Sequence, residues 1–153
     1  MDTTDKNSTS QEKKEYKTFR FVDYKVYQES KKWFQEVLSL QGVLEDYSNL
    51  WNQLKYNTTS VVMNIAAAST QLPGDAKRYL SYSITASNKA VACLDIACDL
   101  QVLTPEEFQT LAQGFRGVII QLKSFIKALG NRSPAETSKE AQTEDQKTEP
   151  ATA

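Results

Sequence analysis

Apolar residues recur at intervals of three and four along four stretches of this chain, the spacing of one face of an α-helix. In the first stretch, about Asp23 to Leu40, Val26, Ser30, Trp33 and Val37 fall on one line, with Tyr27, Phe34 and Leu38 beside it. The second, about Asp46 to Ala68, carries Tyr47, Leu50, Trp51, Leu54, Thr58, Val61, Val62, Ile65 and Ala68. Its β-branched run from Thr58 to Val62 is only moderately suited to a helix. The third follows the Leu72-Pro73-Gly74-Asp75 break and runs to about Leu100, with Leu80, Ile84, Ser87, Val91, Leu94 and Cys98 on its inner line. Ser83, Ala86, Ala90, Cys93 and Ala97 flank that line, so a neighbouring helix can approach closely there.

The fourth stretch has the clearest start signal. Thr104 is placed as an N-cap, Pro105 as the first helical residue and Glu107 three residues after the cap, which together spell a capping box. Phe108, Leu111, Phe115, Val118, Leu122, Phe125 and Leu129 then alternate in steps of four and three, with Ala112, Ile119 and Ile126 on an adjacent line. Gly130 is expected to end the helix as a C-cap. Gly114 and Gly117, inside it, are read as close-packing positions, with a kink as the alternative. Gly42, the Pro73-Gly74 pair and Pro105 separate the four segments, and short connections between amphipathic helices predict an all-α, antiparallel up-down-up-down four-helix bundle spanning residues 18–130. The flanking segments, 1–17 and 131–153, are dominated by Ser, Thr, Glu, Gln and Lys and are expected to be disordered.

With 153 residues, 40% hydrophobic and 24% charged, the chain fits one ordinary domain. The net charge is −1, and residues 18–130 hold ten acids and eleven bases, so the bundle as a whole has no electrostatic bias toward nucleic acid or an anionic membrane. No run approaches 18 consecutive apolar residues and the N-terminus is polar, so neither a membrane span nor a secretory signal is read, and the expected location is the cytoplasm. Cys93 and Cys98, five apart on one helix, point to different faces and read as reduced core residues. Histidine is absent, which removes the usual general base and the commonest transition-metal ligand. No catalytic residue, cofactor or metal is expected.

The remaining candidates each have a plain reading. Asp95 and Asp99, with Glu106 and Glu107 across the connection, resemble the carboxylates of a di-metal bundle, but the missing histidines leave a solvated acidic end. Lys31-Lys32 and Lys77-Arg78, with the scattered Arg20, Lys25 and Lys55, are either solubilising charge or phosphate contacts, and the second role needs the two pairs brought together by folding or by subunit symmetry. Asn57 and Asn64, seven apart in register with Leu50, either fix helix register and line an interface or sit part-exposed at the edge of the stripe. Tyr16, Phe19 and Phe21 can clip the entry segment onto the bundle or onto a neighbouring subunit.

Five segments resemble a known family: Phe21-Val22-Asp23-Tyr24-Lys25-Val26-Tyr27-Gln28, Ser60 through Ala66, Tyr79 through Ser83, Leu100 through Leu103, and Thr104-Pro105-Glu106-Glu107-Phe108. In order and spacing they look like the four-helix-bundle proteins encoded in intervening sequences of bacterial 23S ribosomal RNA genes. That family is similar in fold to the accessory variability determinant of diversity-generating retroelements. The resemblance covers about residues 19 to 129. It implies an antiparallel bundle assembled as a ring-shaped homopentamer without known catalysis; in the retroelement relatives a basic surface binds nucleic acid and the reverse transcriptase. The family pattern continues with Glu-Gly after Asn64-Ile65-Ala66, where this chain has Ala67 and Ala68, and carries an acidic pair where this chain has Lys89 and Val91. The expected function is therefore that of a non-catalytic, homo-oligomeric scaffold or adaptor, with a nucleic-acid-binding accessory protein of a reverse transcriptase as the alternative.

Overall fold

The computed structural model describes residues 19–131, so the expectations for residues 1–17 and for 132 onward, and for Tyr16, lie outside it. A single 3₁₀ turn, Arg20–Asp23, leads into four helices: α1 (Lys25–Leu38), α2 (Ser48–Ala68), α3 (Pro73–Asp99) and α4 (Pro105–Gly130). Among the described residues there is no strand. Extensive packing joins α1 to α2, α2 to α3, α3 to α4 and α4 back to α1. The chain is thus an all-α four-helix bundle, with α1 and α3 on one diagonal and α2 and α4 on the other.

The helix boundaries follow local chemistry. At the start of α4 the Glu107 N–H donates to Thr104 Oγ1 at 3.1 Å and the Thr104 N–H donates to Glu107 Oε2 at 2.8 Å, which completes the capping box with Pro105 at the first helical position. The end of α3 closes differently. Gln101 takes φ 61°, the Val102 N–H donates to the Ala97 carbonyl at 3.1 Å and the Gln101 N–H to the Cys98 carbonyl at 2.9 Å. This is a Schellman closure with a glutamine where glycine is favoured. Gly130 does not play that part for α4: it is the last helical residue, and the cap is Asn131 at φ −91°, in the right-handed region. A side chain at Gly130 would instead press on the Lys77 side chain that crosses it.

The interior divides into two clusters stacked along the bundle. One, at the end that carries the α1–α2 and α3–α4 connections, gathers Val37, Leu44, Leu54, Leu94, Leu103 and Phe115. The other, at the opposite end, gathers Val26, Val61, Ile65, Leu80, Leu122 and a set of alanines. Trp33 packs against both. It lies flat over Gly114, where an added methyl would overlap the indole, so Gly114 is a close-packing position. Gly117 is not: a methyl there meets nothing within 4 Å.

On α3 the buried stripe is Ala76, Leu80, Ser83, Ala86, Ser87, Ala90, Cys93, Leu94 and Ala97, whereas Ile84, Val91 and Cys98 are only half-buried. The line read from hydropathy is thus rotated from the one that packs, because small residues contribute little hydropathy yet allow the closest helix approach. α2 and α3 accordingly form the most extensive pair. Ser83 Oγ donates across it to the Val61 carbonyl at 2.9 Å. The other buried hydroxyls bond back along their own helices, Ser30 to Val26, Thr58 to Leu54 and Ser87 to Ser83, so no buried side-chain polar atom among the described residues lacks a partner. The entry segment clips onto its own bundle: Phe21 meets Tyr27 edge-on at 4.9 Å, and Tyr24 meets Phe125 of α4 at 5.3 Å.

Candidate interaction surface

The helix that makes the most intimate internal contact also presents the least charged exterior. α2 holds one charged residue, Lys55, whose ammonium lies 5.2 Å from the Trp51 ring centre. Its exposed positions are otherwise Ser48, Asn49, Asn52, Gln53, Tyr56, Thr59 and Met63. Tyr56 is 70% exposed, Met63 63% and, on the adjoining helix α3, Tyr82 51%. Between the two helices runs an open groove of about 270 Å³ whose lining includes Tyr56, Asn57, Ser60, Asn64, Tyr82 and Lys89.

Asn57 and Asn64 both border this groove. Their amides repeat one arrangement: Asn57 Nδ2 donates to the Gln53 carbonyl and Asn64 Nδ2 to the Ser60 carbonyl, each at 2.8 Å. Asn57 is buried and Asn64 half-buried, so folding separates two positions that the sequence treats alike. Each amide's side-chain hydrogen bond goes to its own helix, four residues back, and not to another helix.

The four candidate basic contacts are not gathered. Lys31 and Lys32 lie in the middle of α1, with their ammonium groups 5.0 Å from the Tyr27 and Trp33 ring centres respectively. Lys77 and Arg78 belong to the second turn of α3, on the diagonal from α1, and Arg78 pairs with Asp75 at 3.0 Å. Folding of one chain does not join the two pairs.

Charge is instead sorted along the bundle axis. Of the ten acids among the described residues, Glu36, Glu45, Asp46, Asp95, Asp99, Glu106 and Glu107 ring the end that carries the α1–α2 and α3–α4 connections, all exposed and without a base among them. Six of the eleven bases, Arg20, Lys25, Lys77, Arg78, Lys123 and Lys127, surround the other end, with the three remaining acids, Asp23, Glu29 and Asp75, near them. The near-zero total conceals this. A count over the chain averages out what the helix order separates.

No group of three or more potential metal ligands comes together among the described residues. Asp95 and Asp99 are exposed, and Glu107 is committed to the α4 cap. Both cysteines are free; Cys93 is buried and Cys98 half-buried, and burial raises the Cys93 thiol above its ordinary value of 9.0. Among the described residues no helix is long and apolar enough to cross a membrane.

No family model matches this chain, and no curated protein does. Among solved structures it is similar to a protein of unknown function from the S23 ribosomal protein family of Bacteroides thetaiotaomicron, with a TM-score of 0.62 and 20% identity, over 67% of this chain and 98% of that one. At that identity the likeness shows the fold alone.

Proposed function

We propose that this protein is a non-catalytic helical scaffold or adaptor that works by associating with copies of itself through the outer face of α2 and α3. The observation that carries this reading is the nearly charge-free α2 exterior with Tyr56, Met63 and Tyr82 standing out from it. Depletion of charge together with exposed aromatic residues and methionine is the compositional mark of the centre of an interface. The resemblance to the intervening-sequence bundles, with their ring of five, supports self-assembly, and in this reading Asn57 and Asn64, which border the groove, set its register.

Absolute mass in solution tests the reading. A multiple of the 17.2 kDa chain is expected, falling to one chain in a Tyr56→Glu, Met63→Glu double variant that keeps its helical content. A wild-type protein that stays at 17.2 kDa overturns it.

The second reading, a nucleic-acid-binding accessory protein of a reverse transcriptase in the manner of the retroelement proteins, is favoured by the collection of bases at one end of the bundle. It uses Lys77 and Arg78 there, while Lys31 and Lys32 contribute only if subunit symmetry brings them in. Retention on nucleic acid at two salt concentrations tests it, since phosphate contacts release counterions and weaken steeply with salt. Absence of salt-sensitive retention rules it out.

A further inference from the structure

We propose that the acidic stretch 140–149 of this chain docks on the basic end of its own bundle, where it holds the place that a nucleic-acid phosphate would take. The docking needs only charge and chain reach, and its consequence for nucleic acid rests on the second reading above.

α4 ends at Gly130, at the basic end of the bundle, so residues 132–153 leave the bundle there. Lys77 of α3 lies at the point of departure: its Nζ is 3.3 Å from where a Cβ on Gly130 would stand. Lys127 is in the last turn of the same helix. Residues 132–139 separate this point from the acidic stretch, and a chain of that length spans up to about 26 Å. A helix with its side chains is about 10 Å across, so the stretch can reach the bases of α4 and of α1 and α3, which flank it.

The charges are complementary. Residues 140–149 hold four acids, Glu140, Glu144, Asp145 and Glu149, against Lys147 alone, a net −3. At the end from which they depart, Arg78 is held by Asp75, whereas Lys25, Lys77, Lys123 and Lys127 form no ion pair with another described residue. The end of α4 answers only part of this charge, because a helix terminus carries about −0.5 and both Lys77 and Lys127 stand at it. Lys25 is the first residue of α1, where the helix dipole favours an acid. A carboxylate-rich segment attached at this end supplies the missing complement.

Attachment makes a weak attraction effective. Exposed charges attract one another little at physiological salt. A segment tethered within reach nevertheless has a local concentration on the order of millimolar, so a millimolar attraction keeps it docked about half of the time. A phosphate chain arriving from solution must displace it.

A carbodiimide, which joins a carboxylate to a lysine amine in contact with it, tests the docking on the full chain without nucleic acid. Cross-links from Glu140, Glu144, Asp145 and Glu149 into the bundle are expected on Lys77, Lys123 and Lys127 rather than on Lys31, Lys32, Lys55 or Lys89. Their yield is expected to fall at least about threefold between roughly 50 mM and roughly 500 mM salt. Cross-links spread evenly over the lysines of the bundle overturn the docking, and so does a yield indifferent to salt, which is the mark of tethering alone. In a mixture of isotopically light and heavy chains the joins are expected within one chain; joins between chains overturn docking on the same bundle. The full-chain variant E140Q/E144Q/D145N/E149Q removes the charge and keeps the length. It is expected to bind a short single-stranded DNA roughly threefold tighter than the wild type at low salt, and equally at high salt. Equal affinities at low salt overturn the competition with nucleic acid. Retention of the DNA by neither protein overturns the nucleic-acid reading, and the cross-links then decide the docking by themselves.

Discussion

The two ends of the bundle are held together by different means. At the connection end large side chains do the filling: Phe115, Leu54 and Leu94 are essentially inaccessible, and both connections drive a leucine inward, Leu44 at 0% and Leu103 at 3% exposure. At the other end Ala68, Ala76, Ala86 and Ser83 line the helix contacts, and the helices approach closely enough for a serine on α3 to bond a carbonyl of α2. Ile65, Leu80 and Leu122 fill the second end as completely as Leu54 and Leu94 fill the first, so what distinguishes the second is the set of alanines and the inter-helix hydrogen bond added to that volume. Loss of volume should therefore be costly in the first, and loss of a single polar contact modest in the second.

The sharpest way to break this comparison is to empty the connection end. Phe115→Ala is expected to cost about 4 kcal/mol, from lost transfer energy and the cavity left behind. Ser83→Ala, in the other half, is expected to cost about 1 kcal/mol for one hydrogen bond. Equal losses in urea unfolding would mean that the two halves do not differ in the way proposed.

The seam between the halves comes next in size. Gly114→Ala must displace the Trp33 indole, and overpacking of this kind costs about 2 kcal/mol. Gly117→Ala meets open space and should stabilise by up to about 1 kcal/mol through helix propensity. Opposite signs in the two melting temperatures are the expected result, and a quenched or shifted Trp fluorescence should accompany only the Gly114 change.

A smaller gain is expected at the connection end from Gln101→Gly, which relieves a left-handed residue while keeping both Schellman bonds. The stabilisation should be about 1 kcal/mol, reduced by the greater freedom of glycine in the unfolded chain.

The smallest effect concerns Cys93. Burial raises its thiol pKa, so the folded chain holds the proton that the unfolded chain releases near 9.0. Its contribution to stability is complete below that value and declines as pH climbs above it toward the folded pKa. Cys93→Ala should remove this part of the alkaline decline, measured as the difference between the two proteins' unfolding curves at successive pH values. Identical slopes would place the thiol in a wetter environment than its 8% exposure indicates.

Much of the fold was legible in the order of residues. The α4 start was readable because a capping box is a contact between neighbours four residues apart at most, complete in the local sequence. Gly114 and Gly117 carry the same helix-propensity cost and were read alike as close-packing positions, and only Gly114 has a neighbour, Trp33, against it. Gly117 and Gly130 have the same composition-level signal and a different role, because what a missing side chain makes room for belongs to another helix. The buried line of α3 was displaced for that reason as well: Ala90 and Ala97 are fully buried beside the more hydropathic Val91.

The interaction surface was less legible. Asn57 and Asn64 mark the groove, and their seven-residue spacing was the available signal. The pairing of Lys31-Lys32 with Lys77-Arg78 does not occur within one chain, because α1 and α3 are diagonal in the bundle. The charge separation between the ends could have been found by folding the sequence back on itself at Gly42, Pro73 and Pro105 and recounting, whereas a net charge cannot reveal it.

By itself, then, the sequence determined four amphipathic helices, their order and the cap at Thr104, because periodicity and capping are set by residues within a few positions of each other. Only the tertiary structure decided which small residues form the close α2–α3 seam, which glycine accommodates Trp33, and which charges share an end. Those are properties of helices distant in sequence and adjacent in space, and they come into being only when the chain packs.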